Sequence, residues 1–163
     1  YPSEAVVFET ISVGTDPERP VEAEGRIWVP SREDASLDVV DPASRQVIAT
    51  VAVGTEPDTP VAEGGRLWIS NAGTDTVTVV DAETLEVDAE ITGGSGPRTG
   101  VAAGGSVWIP VAGASTLVQL DSDQSELVET FVTGLEPDKP VVVDDSIWVP
   151  NAGSASVLEL QFS

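Results

Sequence analysis

Tryptophan stands at positions 28, 68, 108 and 148, a constant step of 40 residues, and three other residue types keep the same phase. Gly14, Gly54, Gly94 and Gly134 match one another, as do Pro17, Pro57, Pro97 and Pro137, and then Val21, Val61, Val101 and Val141. Such a chain builds one supersecondary unit four times, and each unit buries its apolar face against the next. Within the clearest copy, β-rich runs at 60–62, 66–70, 76–80 and 86–91 are divided by turn residues: Gly64-Gly65, Asn71-Ala72-Gly73 and Asp81-Ala82-Glu83-Thr84. Four short strands per 40-residue copy is the spacing of a propeller blade. No run sustains the 3.6-residue apolar period a helix needs.

Strand alternation sharpens this reading. Ile27 and Val29 point to one face of their strand and Trp28 to the other, and the pattern returns as Leu67/Ile69, Val107/Ile109 and Ile147/Val149 around their tryptophans. Apolar groups on both faces require a sheet covered on both faces, as when blades pack against blades. The tryptophans are therefore read as inter-blade core rather than as sugar-stacking platforms.

The ends add a constraint. The 163 residues form one domain, with repeats at 14–53, 54–93, 94–133 and 134–163. The last copy lacks a fourth strand, and residues 5–13 match the fourth-strand segments of the others. The expected fold is all-β, a four-bladed β-propeller closed by its N-terminal strand, which removes open sheet edges. The same complementarity between chains gives a strand-exchanged dimer or polymer instead.

The stretches V-G-T-E-P-D-T-P-V-A-E-G-G-R-L-W-I-S-N-A-G-T-D-T-V-T-V-V-D and G-S-V-W-I-P-V-A-G-A-S-T-L-V-Q-L-D resemble YVTN-type repeats, within the wider group of NHL-like and virginiamycin B lyase-like propellers. The resemblance covers essentially the whole chain. It implies blade geometry: a Gly-x-x-Pro entry loop, an aromatic second strand, an Asn-Ala-Gly turn and a closing Asp. Relatives commonly carry six or seven blades, and surface-layer proteins, secreted binding proteins and sensor domains occur among them. The lyase members rely on histidine and a metal, and this chain has no histidine.

Composition narrows the function classes. The 28 acidic residues against 7 basic give a formal charge of −21, a field that repels nucleic acid and anionic membrane surfaces. Cysteine is absent, so there are no disulfides, thiolate metal sites or thiol nucleophiles. No apolar run approaches the roughly 20 residues of a membrane helix, so no insertion by the visible chain is expected. The start at Tyr1 without methionine reads as a processed mature form or an excised fragment, with an extracellular, cell-surface or periplasmic location expected. Asn71 and Asn151 are the only asparagines, and neither lies in an Asn-x-Ser/Thr acceptor.

The entry loops at 14–19, 54–59, 94–99 and 134–139 share a face with the loops between second and third strands. Three of the four carry an acid-Pro-acid triplet: Asp16 and Glu18, Glu56 and Asp58, Glu136 and Asp138. Converging carboxylates and carbonyls could hold Ca²⁺, which takes roughly six to eight oxygens, against the plainer reading of solvated loop acids. The third loop breaks the pattern with Gly96 and Arg98, and the first copy's Arg32, Glu33 and Asp34 set that blade apart. With Arg19 and Lys139, these charged groups form a candidate ligand face for a protein or glycan partner. Hydroxyl nucleophiles lack a base, and a glycosidase-like carboxylate pair is not distinguished from the general excess of acid. The expected function is a secreted or cell-surface non-enzymatic binding or scaffold propeller. A structural subunit of a surface layer or extracellular filament, assembled by strand exchange, is the alternative.

Overall fold

The computed structural model describes residues 9–162. Their elements are β-strands apart from two single-turn 3-10 segments, Ala112–Ala114 and Ala152–Ser154. Three four-stranded antiparallel sheets follow in chain order: β1 (Val21–Ala23), β2 (Arg26–Ser31), β3 (Ser36–Asp41) and β4 (Gln46–Ala52); β5 (Val61–Glu63), β6 (Arg66–Asn71), β7 (Thr76–Asp81) and β8 (Val87–Thr92); β9 (Val101–Ala103), β10 (Ser106–Val111), β11 (Thr116–Asp121) and β12 (Leu127–Val132). The fourth sheet has three strands, β13 (Val141–Val143), β14 (Ser146–Asn151) and β15 (Ser156–Gln161). Each sheet is a meander in which sequence neighbours pair, so the order within each follows the chain.

Register repeats with the sequence. Trp28 lies opposite Val39, Trp68 opposite Val79, Trp108 opposite Gln119 and Trp148 opposite Glu159. The register of the third and fourth strands shifts at one phase, between Val39 and Val40, Val79 and Val80, and Gln119 and Leu120. Such an irregularity increases local twist and turns the outer strand over the next sheet. At the hairpin between the first two strands of the second sheet, Gly64 and Gly65 take φ of 61° and 72°, the left-handed pair that matches strand twist and that glycine adopts without a Cβ penalty.

The sheets stack face to face as blades, with the tryptophan side facing forward. One core cluster joins Trp28, Leu37 and Val39 of the first blade to Leu67, Ile69 and Val80 of the second. A second joins Trp68, Val77 and Val79 to Val107, Ile109 and Leu120 of the third. A third joins Trp108 and Leu117 to Ile147 and Val149 of the fourth. These three tryptophans are at most 2% exposed, and each indole N–H donates to the carbonyl five residues earlier, at Ala23, Glu63 and Ala103. The inter-blade core expected from the sequence is thus present at three joints.

The fourth tryptophan departs from the rule. Trp148 is 37% exposed, its N–H has no such bond among the described residues, and no apolar cluster there joins the fourth blade to the first. The expected closing strand, 5–13, lies outside the described residues over 5–8, and residues 9–13 carry no strand. The propeller blades are present, while closure by strand hydrogen bonds is absent among the described residues.

The repeated entry glycine has a steric cause. A Cβ on Gly54 would lie 2.6 Å from Cβ and Cγ of Asn71, because the entry loop presses on the end of β6. Gly54→Ala is expected to cost about 1–3 kcal/mol by overpacking, read as a fall in the urea midpoint at unchanged slope.

Candidate functional site

The entry loops and the loops after the second strands do share one face. Isolated bridges tie Pro17 to Ser31, Pro57 to Asn71, Pro97 to Val111 and Pro137 to Asn151. Around each bridge the backbone bonds repeat: Glu18 N–H donates to Pro30 and Arg32 N–H to Asp16, Asp58 to Ser70 and Ala72 to Glu56, Arg98 to Pro110 and Ala112 to Gly96, Asp138 to Pro150 and Ala152 to Glu136. At one matching position each loop takes a left-handed backbone, Asp16, Glu56 and Glu136 at φ near 52° and Gly96 at 66°, and in the third loop Gly94 does so as well. The third copy therefore holds glycine where the others hold an acid in a conformation natural to glycine.

Different copies secure this loop with different side chains. In the first blade Asp34 accepts from Thr15 N–H at 2.6 Å, and the buried carboxylate of Asp38 accepts from Gly14 N–H at 2.7 Å and from the Thr50 hydroxyl at 2.6 Å. In the second, Asp75 accepts from Gly96 N–H of the following loop at 2.8 Å. Asp58 accepts from Thr99 N–H and the Ser70 hydroxyl donates to the Arg98 carbonyl, which ties the second blade's face to the third's. Asp38 was not among the residues singled out from the sequence. Its counterparts Thr78, Val118 and Leu158 show that no repeat pattern marks it.

The six loop acids do not gather around one point. Arg32 reaches Glu18 at 3.2 Å, Glu56 at 3.5 Å and Asp16 at 3.9 Å, so a guanidinium occupies the position among three of them. Among the described residues no group of three carboxylates is placed to hold a metal ion. Arg32, offered by the sequence as a partner-contact residue, is thus engaged within the chain. Glu33, Arg19 and Lys139 are exposed, and Arg19 and Lys139 make no ion pair among the described residues.

Arg98, Glu136 and Asp138 come together. They line a cleft of about 700 Å³ between the third and fourth blades, with Ala112, Gly113, Ala152 and Gly153 among its walls. The Arg98 side chain is without an ion-pair or hydrogen-bond partner among the described residues, in contrast to Arg32 and to Arg66, which pairs with Asp88 at 2.9 Å. Among the described residues the buried side-chain oxygens that lack a partner, on Ser31, Asn71, Thr99 and Asn151, all belong to this loop face. Such atoms require water or a ligand to satisfy them.

The opposite end of the blades carries the closing Asp. Asp81 accepts from the backbone N–H groups of Thr84 and Glu83, and those bonds, Thr84 first, hold its carboxyl below the ordinary carboxylate pKa. The Ser44 hydroxyl, followed by the Ala43 and Ser44 amides, does the same for Asp41. A depressed folded-state pKa means that these turns favour folding above the ordinary value and lose that contribution as pH falls below it. The closing Asp is a turn device.

No family model matches the sequence, and no curated protein matches it. Solved structures do match in fold. The chain superposes on the designed protein Ika4 with a TM-score of 0.80 at 12% identity, covering 97% of this chain and all of that one. On the designed protein Ika8 the TM-score is 0.73 at 13% identity, over 88% of this chain and 45% of that one. On BamB from Moraxella catarrhalis it is 0.72 at 16% identity, over 88% of this chain and 42% of that one. The chain thus has the propeller fold and spans less than half the length of the latter two. Among the described residues no helix is long and apolar enough to cross a membrane.

Proposed function

We propose that this chain is a non-enzymatic binding or scaffold propeller of the YVTN/NHL-like kind, secreted or displayed at a cell surface, that takes a protein or glycan partner on its loop face. The observation that carries this is the cleft between the third and fourth blades, where the guanidinium of Arg98 stands without a partner in a protein whose net charge is −21. An exposed guanidinium beside Glu136 and Asp138 offers donors and acceptors together, which suits a neutral, hydroxyl-rich or mixed-charge ligand held by a few polar contacts, whereas the surrounding acid disfavours a strongly anionic one. Neither histidine nor cysteine is available to activate a nucleophile. Calcium at the acid-Pro-acid loops is not part of this reading, since the Arg32 guanidinium already stands among three of the six acids.

Titration of isotope-labelled protein with a panel of neutral oligosaccharides and of peptides of graded charge checks it. Amide shifts are expected to centre on Gly96, Gly113 and Gly153, with binding at least about tenfold weaker in Arg98→Ala, the loss of one charge-assisted bond. Shifts confined to the opposite end of the blades, or turnover of a probe, would overturn it. The second reading, a subunit of a surface layer or filament joined through the 5–13 strand, is favoured by the exposure of Trp148.

A further inference from the structure

The two end blades present faces that fit each other. The forward face of the fourth blade is open: Trp148 is 37%, Val141 57% and Val157 61% exposed, whereas their counterparts two blades back, Trp68, Val61 and Val77, are buried. The backward face of the first blade holds a hollow of about 500 Å³ whose lining includes Ile11, Val13, Ile27, Val29, Val40 and Pro42. Forty residues on, those positions are Val51, Val53, Leu67, Ile69, Val80 and Ala82. All six of these belong to the cluster that receives Trp28, Leu37 and Val39. The hollow is therefore the receiving half of a blade joint, and its missing half is a forward face bearing a tryptophan.

Residues 9–13 already hold the place of a preceding blade's outer strand. Ile11 and Val13 line the first blade's backward face as Val51 and Val53 line the second's. The fourth sheet has the complementary deficit, three strands and no outer one among the described residues.

Among the described residues the donor face and the hollow are both open. We propose that two copies associate head to tail, each inserting Trp148 and Val157 into the other's hollow while the partner's N-terminal segment completes the fourth sheet, to close an eight-bladed ring with two identical joints. A head-to-tail contact closes only when its rotation divides the circle. Superposition of 88% of this chain on less than half of each of two longer propeller chains agrees with the curvature of such a half-ring. The inference rests on the propeller architecture and not on the ligand proposed for the Arg98 cleft.

A cross-link tests it. Leu37 lies opposite Val51, so at the open joint Val157 lies opposite Ile11, at a separation a disulfide can span. The chain has no cysteine of its own. Oxidised Ile11→Cys/Val157→Cys is expected to run, denatured and unreduced, at twice the 16.9 kDa chain mass. A disulfide within a single chain would instead establish a closed four-bladed ring, and a ladder of higher masses an open polymer; either overturns the proposal, as does no disulfide. By light scattering, the unmodified chain is expected at the same doubled mass. Trp148→Glu, or Val157→Glu should that variant fail to fold, is expected to halve it with an unchanged far-ultraviolet spectrum. A monomeric unmodified chain, or a dimer indifferent to both substitutions, would refute the ring. Binding at the Arg98 cleft, measured on the same variants, reports separately on the ligand reading.

Discussion

Trp68→Ala is expected to destabilise the chain by about 3–5 kcal/mol, the usual cost of emptying a buried aromatic site, while Trp148→Ala costs less than about 1 kcal/mol, as an exposed position does. The two residues occupy the same phase of the same repeat, and each lies opposite a valine on the strand before it, Val61 and Val141, while the strand after it offers Val79 to Trp68 and Glu159 to Trp148. They differ in what lies in front of them. Trp68 is fully buried against Val107, Ile109 and Leu120, and its N–H bonds to Glu63, so truncation opens a cavity and strands a carbonyl. Trp148 has no following blade in the chain and loses little when shortened. Urea unfolding at low protein concentration, where association is minimal, measures both. Equal effects would mean that the fourth tryptophan is already covered within one chain, and would sink the open-joint description.

Asp38→Ala is expected to cost about 2–3 kcal/mol. Its carboxyl group is 5% exposed and accepts from both Gly14 N–H and the Thr50 hydroxyl; losing each of these bonds costs about 1–1.5 kcal/mol, and removal leaves both donors unsatisfied. Loss of one negative charge from a total of −21 acts in the opposite sense. That relief is the smaller effect, since exposed charges beyond roughly 8–10 Å are screened at ordinary salt. Asp38→Asn separates the terms: it removes the same charge but keeps an acceptor and the shape, so it should fall between alanine and the unmodified chain. Denaturant midpoints at pH 7 supply the comparison, and an alanine variant as stable as the unmodified chain would show that the first entry loop is held by Asp34 alone.

Much of the blade was legible before any coordinate. Strands expected at 66–70, 76–80 and 86–91 are found at Arg66–Asn71, Thr76–Asp81 and Val87–Thr92, because two-residue alternation and glycine turns are local properties. The shared loop face was also legible, since strand order fixes which connections lie together. The charged site residues were less so. Six acids suggested convergence, yet Arg32 stands among three of them, and Arg98, a break in the acidic pattern, proved to be the basic side chain facing the cleft. Side-chain direction on a loop depends on neighbours far apart in sequence, and a repeat pattern hides positions such as Asp38 that one copy alone uses.

The sequence by itself determined the fourfold unit, the strand phase and the tryptophan that faces each joint, because periodicity dictates which residues must be buried together. Only the tertiary structure decided how many joints one chain completes. Three tryptophans are buried and the fourth is open, for identical repeats carry identical local preferences, whereas burial depends on whether another blade stands in front.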